Sequence, residues 1–308
     1  IKKGMELLGL GCQALRLTTR MILDRYVPDY PRLHANVFCN DDPQFGTIEP
    51  DEKSLGQVWE TRRQGTAGFY AWGSAVVTAR LWRQFPPMRV NGHLKTAAAL
   101  LAVGGDNLSY DYGFLAALLF FSPLAAAVRR EIPAVVWGAS IGPFSSRPYW
   151  ERRFAEVLRR VDLITVREPL TEDYLHELGL RDNLRRVTDP AFLLPAEPVE
   201  LPGEIERVLE AGAIGVNLAP LMIRHNRLSP RTWFRQAREM LLEVHRTTQL
   251  PLLLIPHVMM PPHVFADNDD FLFLQALRKS LPAATRREVL LYDARQDCCK
   301  QIKWVISR

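Results

Sequence analysis

The sequence predicts an α/β protein of two Rossmann-like domains built on parallel sheets, and three observations carry that expectation. Short apolar runs of strand length alternate with amphipathic helical patterns, as parallel strands covered on both faces require. The alternation is interrupted at 195–203 (PAEPVELPG), three prolines without periodicity, and then restarts. With 308 residues the chain is long enough for two domains. The expected division is an N-terminal domain over 1–200 and a C-terminal domain over 201–308.

In chain order, Gly4–Tyr26 reads as a helix with no strand in front of it. Ala35–Cys39 is a β-rich run. Asp41–Lys95 has no clean period and is expected to be an irregular excursion with one helix. Ala97–Val103, Ala134–Gly138 and Asp162–Val166 follow as strands, with Arg186–Leu194 as a less distinct fourth. Gly113–Val128 is apolar apart from Ser122. It falls short of the roughly 20 apolar residues of a spanning helix and is broken at Ser122–Pro123, so a buried helix is expected. Trp150–Val161 places Phe154, Val157, Leu158 and Val161 on one face with arginines opposite. Leu170–Leu178 is a helix that Thr171 can cap and Gly179 can end. Beyond residue 203, strands at Ala213–Leu218, Pro251–Ile255 and Val289–Tyr292 alternate with helices at Thr232–Arg246 and Asp270–Ser280. Asp297–Arg308 carries Cys299, Ile302 and Ile306 at helical spacing. Both ends read as cut within a domain.

Composition narrows the function classes. A hydrophobic fraction of 47% and a charged fraction of 24% are those of an ordinary globular chain and exclude wholesale disorder. Lys+Arg total 39 against 34 Asp+Glu, so the net charge is +5, spread along the sequence. That favours an anionic ligand or an anionic membrane surface and gives no reason to expect nucleic acid. Four cysteines make no disulfide scaffold, and the free thiols suit the cytoplasm. The adjacent pair Cys298–Cys299 makes no zinc site. No phosphate-binding G-x-x-x-x-G-K-[ST] loop, C-x-x-C or G-x-S-x-G motif occurs. Gly9 to Ala14 matches G-x-G-x-x-A without the strand that must precede it.

In a parallel sheet the reactive groups stand beyond the carboxyl ends of the strands, and the cleft between two such domains is the default ligand site. After Ala97–Val103 comes Gly104-Gly105-Asp106-Asn107. The glycines let a ligand approach the backbone, and Asp106 and Asn107 project beside it. The alternative is a tight turn capped by Asp or Asn. After Ala134–Gly138 comes a second small-residue turn, Ala139 to Pro143, which includes Ser140 and Gly142. After Asp162–Val166 comes Arg167, whose planar fork can grip a phosphate or carboxylate; the alternative is a surface pair with Glu168. Asp189-Pro190 closes the next run, and Asn217 ends the first strand after residue 203. His257 follows Pro251–Ile255 as a candidate for proton transfer, although a chain with seven histidines often places one casually. Asp267, Asp269 and Asp270 read as loop and cap residues rather than metal ligands.

Taken as a series, GGDNL (Gly104–Leu108), ASIGPF (Ala139–Phe144), TVREPLT (Thr165–Thr171), VTDPAFLL (Val187–Leu194), IGVNLAP (Ile214–Pro220), IPHV (Ile255–Val258) and the closing KQIKWVISR resemble successive signatures of the polysaccharide pyruvyl transferase family. GCQAL (Gly11–Leu15) resembles that family's opening turn of helix. The resemblance implies a two-Rossmann-domain fold of the GT-B type. It implies transfer of pyruvate from phosphoenolpyruvate onto two sugar hydroxyls of a cell-surface or exopolysaccharide precursor, giving a cyclic ketal. No cofactor or metal is implied; phosphoenolpyruvate is the donor substrate. Arg167 would clamp the donor anion. Asp106 would contact the acceptor or act as base, and Gly105, Asn107, Ser140, Gly142 and Asn217 would line the pocket. His257 would be a second group for proton transfer. Acceptors of this class are often lipid-linked, which implies a cytoplasmic protein with at most peripheral contact at the inner face of the membrane. The family's Arg-x-x-His or Arg-x-His element would fall after residue 308, and its first strand before residue 1. A nucleotide-sugar glycosyltransferase of the same fold and a non-catalytic, saccharide-binding remnant are the alternatives.

Overall fold

The computed structural model describes residues 10–30, 33–36, 53–57, 77, 83–86, 94–226, 228–259 and 269–308. It is α/β with parallel sheets, as the alternation predicts, and it divides into two compact units. One unit holds most of the described residues between Leu15 and Leu193, and the other holds those of Leu194–Arg308 together with Leu10–Ala14. The first helix, α1 (Leu10–Tyr26), crosses that division in sequence. Gly11 lies in this helix and Gly9 lies outside the described residues. β1 (Leu33–Asn36) and β2 (Lys53–Gln57) pair in parallel. Much of the expected Ala35–Cys39 strand and of the excursion to Lys95 lies outside the described residues, but Lys53–Gln57 is a strand where the sequence predicts only an irregular stretch with one helix.

The larger unit is organised on four parallel strands in sequence order: β3 (Leu100–Val103), β4 (Ala134–Ala139), β5 (Leu163–Val166) and β6 (Leu184–Arg186). α2 (Phe114–Arg129), α3 (Pro148–Leu158) and α4 (Pro169–Glu177) connect them. α2 is buried on nearly every side, from Ala116 to Val128, which explains its unbroken apolar sequence. Among the described residues no helix is long and apolar enough to cross a membrane. The core is aromatic: Phe121 stacks on Phe154 with ring centroids 4.1 Å apart, and Phe144 packs 4.6 Å from Phe154. The arginine-rich face of α3 stays outside, as its periodicity predicts.

Two expectations need correction here. Arg186–Leu194 is not a strand. β6 ends at Arg186, and Pro190–Leu193 forms a 3₁₀ turn. Pro190 has no N–H to give a sheet ladder, and Asp189 draws the chain into a turn by accepting from the Ala191 N–H at 2.8 Å. Nor does Thr171 cap α4. The cap position is Glu168, and buried Thr171 donates its hydroxyl to Glu168 Oε1 at 2.8 Å from inside the first turn. Gly179 does follow the helix end, with φ of 77°.

The smaller unit has three parallel strands, also in sequence order. They are β7 (Ile214–Val216), β8 (Leu252–Leu254) and β9 (Val289–Leu291). α5 (Gly203–Ala211) leads into β7, with α6 (Met222–His225) and α7 (Pro230–Thr248) after it. α8 (Asp270–Ser280) and α9 (Ala283–Glu288) precede β9, and α10 (Cys299–Ile306) follows. Trp233, Ala237 and Leu241 repeat every four residues along α7 and pack with Leu252, Leu254, Leu274, Leu277 and Val289.

Candidate functional site: strand ends around Arg167 and around His257

At the carboxyl edge of the four-stranded sheet the turns after β3 and β4 are bonded to each other. Ser140 N–H donates to Gly105 O at 2.6 Å, and Gly142 N–H to Leu108 O at 2.8 Å. This extends the sheet past its strands by a parallel bridge between Leu108 and Ile141. Arg167, the residue after β5, reaches this double turn. Its Nε and Nη2 donate to Ser140 Oγ at 3.3 and 3.2 Å, and Nη1 pairs with Asp189 Oδ2 at 2.6 Å. A Cβ on Gly105 would stand 3.1 Å from Arg167 Nη2, so glycine leaves the guanidinium its place against the backbone.

The partner of Arg167 is therefore Asp189 and not its neighbour Glu168. Adjacent side chains on an extended segment point to opposite sides, whereas Asp189 arrives from beyond the next strand. Asp189 uses its other oxygen on the Ala191 N–H, and the adjoining Pro190 packs over Gly138. One carboxylate thus ties the arginine to the turn that follows β6. An open hollow borders the pair, lined by Arg167, Glu168, Arg186, Thr188, Asp189 and Phe192 among others. Arg186 pairs with Glu172 at 3.3 Å.

The structure brings Arg167, Ser140 and Gly105 into direct contact. Asp106 is half-buried beside them in sequence, with both carboxylate oxygens 3.2 Å from the Tyr112 hydroxyl. Asn107 folds back over its own turn, against Gly104. Gly142 adopts φ of 77° with Tyr174 directly beside it; a Cβ would fall 2.3 Å from Tyr174 Cε1. Tyr174 in turn accepts from the Phe144 N–H at 2.9 Å and donates to Glu151 at 2.7 Å. Burial and the Glu151 carboxylate both push its phenol far above the ordinary tyrosine range. Tyr174 is thus a fixed neutral strut under the second turn, a role that its place on a helical face gave no means of reading from the sequence.

His257 and Asn217 belong to the smaller unit. Asn217, just past β7, donates Nδ2 to Ile255 O at 2.9 Å and to Asp270 Oδ2 at 3.2 Å. His257, past β8, is partly buried, and burial pushes its imidazole below the ordinary histidine range against the opposing pull of Asp270. Asp269 caps α8 by accepting from the Leu272 N–H at 2.8 Å, the role expected of it. Asp267 lies outside the described residues. Among the described residues no group of three His, Cys, Asp or Glu side chains is gathered as metal ligands.

A family model described as polysaccharide pyruvyl transferase matches residues 11–292. No curated protein matches the chain.

Proposed function

The chain belongs to the polysaccharide pyruvyl transferase family, and we propose that it moves pyruvate from phosphoenolpyruvate onto two hydroxyls of a saccharide, forming a cyclic ketal. The family makes a transferase with a polysaccharide acceptor the starting point. The proposal extends to the donor, the ketal, a GT-B-like class and an acceptor for cell-surface or exopolysaccharide.

The observation that carries it is Arg167 at the end of β5, held by Ser140 and Asp189 beside an open hollow. Phosphoenolpyruvate carries a carboxylate and a phosphate on three carbons. A guanidinium fixed on two sides by Ser140 and Asp189 keeps one Nη1 and one Nη2 hydrogen for one of them, and such charge-assisted bonds contribute about 1.5–3 kcal/mol each. In this reading Gly105, Asn107, Ser140 and Gly142 line the donor's surroundings, with Asn217 in the supporting role its hydrogen bonds give it. A proton must reach the donor's methylene carbon, leaving a cationic centre at C2 that the first acceptor oxygen attacks; loss of inorganic phosphate from C2 reopens that centre to the second hydroxyl, and a base must take the proton of each hydroxyl. Asp106 is assigned to the acceptor hydroxyl and His257 to proton transfer. A lipid-linked acceptor would put the reaction in the cytoplasm at the inner face of the membrane.

The test is incubation of the chain with phosphoenolpyruvate and a panel of acceptor saccharides. A new ketal methyl signal with stoichiometric inorganic phosphate is expected. Turnover of a nucleotide sugar instead, with UDP or GDP released, would replace this reading by glycosyl transfer.

A further inference from the structure

Asp270 is 1% exposed and is not the cap of its helix, a role filled by Asp269. Its Oδ2 accepts from the backbone N–H groups of His257 at 3.0 Å and Val258 at 2.9 Å, and from Asn217 Nδ2 at 3.2 Å. Its Oδ1 is buried and has no hydrogen-bond partner among the described residues. The Asp270 N–H returns a bond to Val258 O at 2.8 Å, and His257 O accepts from the Leu10 N–H at 2.9 Å. The peptide on which His257 sits is therefore gripped on both edges, and one carboxyl oxygen converges on it.

From this geometry we infer that Asp270 is a positioning residue for His257, fixing the His257–Val258 backbone through Oδ2 and acting as the buried counter-charge of its imidazole. A loop holder alone would not need an acid. A carbonyl accepts the same bonds, and a buried carboxyl oxygen without a partner carries a desolvation cost that a neutral group avoids. The electrostatics agree. The Asp270 charge opposes the effect of burial on His257, and the histidine does the same for the acid. Among the described residues, Asp269 stands at the helix cap next to Asp270, and Arg295, whose guanidinium lies over the Phe271 ring, is drawn to Asp293 and Asp269.

The catalytic meaning of this assignment rests on the proposed role of His257, so the experiment reads His257 directly. In the full chain labelled at histidine Cε1, the His257 resonance is identified by its loss in His257→Gln and titrated in wild type and in Asp270→Asn, which keeps an oxygen for all three donors. The midpoint of His257 should fall by about one pH unit in Asp270→Asn. An unchanged midpoint in the folded variant overturns the inference. In wild type alone, the His257 signal should show a second, smaller inflection at the pH where the Asp270 carboxyl carbon titrates, and its absence is equally fatal if the variant does not fold. In the transfer assay the acid limb of kcat should move with the His257 midpoint while KM for phosphoenolpyruvate holds. A midpoint that moves with no change in that limb would leave Asp270 in its role and remove His257 from the chemistry.

Discussion

The guanidinium of Arg167 contacts two side chains, Ser140 and Asp189, and the close backbone approach at Gly105 completes its seat. If Arg167 grips the donor as proposed, Arg167→Ala removes a charge-assisted contact, and about 1.4 kcal/mol is already a factor of ten in rate. Transfer should fall well over tenfold while the chain still melts cooperatively; undiminished turnover would take Arg167 out of the site. Gly142 gives a second prediction. With φ of 77° and Tyr174 Cε1 2.3 Å from any added Cβ, Gly142→Ala should cost about 1–3 kcal/mol from the backbone alone. Urea unfolding would read this as a lower midpoint at unchanged slope. Tyr174→Phe loses only hydroxyl bonds and should be milder.

At the scale of elements, helix ends decide more than helix interiors. α7 starts at Ser229, whose Oγ accepts from the Thr232 N–H at 3.1 Å. Ser229→Ala should therefore lose about 1 kcal/mol, seen as a drop of a few degrees in melting temperature. The strands β3, β4, β8 and β9 are legible as short apolar runs, with ends within a few residues of the expected ones, whereas β2 (Lys53–Gln57) is largely polar and carries no such signal. The Arg186–Leu194 run was not. Ala191–Leu194 has strand-like composition, but Pro190 and the Asp189 carboxyl turn the backbone there, and composition does not see that turn. The buried α2 follows from the length of its apolar run; Ser122–Pro123 does not interrupt it, since the helix continues through Pro123.

At the scale of the molecule, two buried titrating groups act on stability in opposite senses. Burial raises the Asp270 carboxyl above its ordinary 3.8, and its hydrogen-bond donors only partly offset this. The unfolded chain then releases that proton first as pH rises, so this group's stabilisation, complete below 3.8, is lost as pH climbs to the raised folded value. His257 lies below its ordinary 6.5, so its contribution is complete above 6.5 and is lost as pH falls towards the lowered value. Asp270→Asn cannot ionise. Its melting temperature relative to wild type should therefore improve from pH 4 to pH 7, and a constant difference across that range would contradict the buried-acid account.

Half of the candidate site was readable because a parallel sheet sends its functional groups to one edge, so the residues following each strand could be named in advance. Arg167, Ser140 and Gly105 were found that way, and they do meet. In the sequence Asp189 and Asp270 read only as a strand end and a loop or cap residue, since nothing local marks an acid that serves a residue 22 or 13 positions before it. The sequence by itself determined the α/β class, the apolar strands of the two larger sheets and the chemistry offered at their ends, because these follow from short-range periodicity and turn preference. Only the tertiary structure decided which partner each charge meets. That choice depends on which strands lie side by side, and on which carboxylates are withdrawn from water next to the groups they hold.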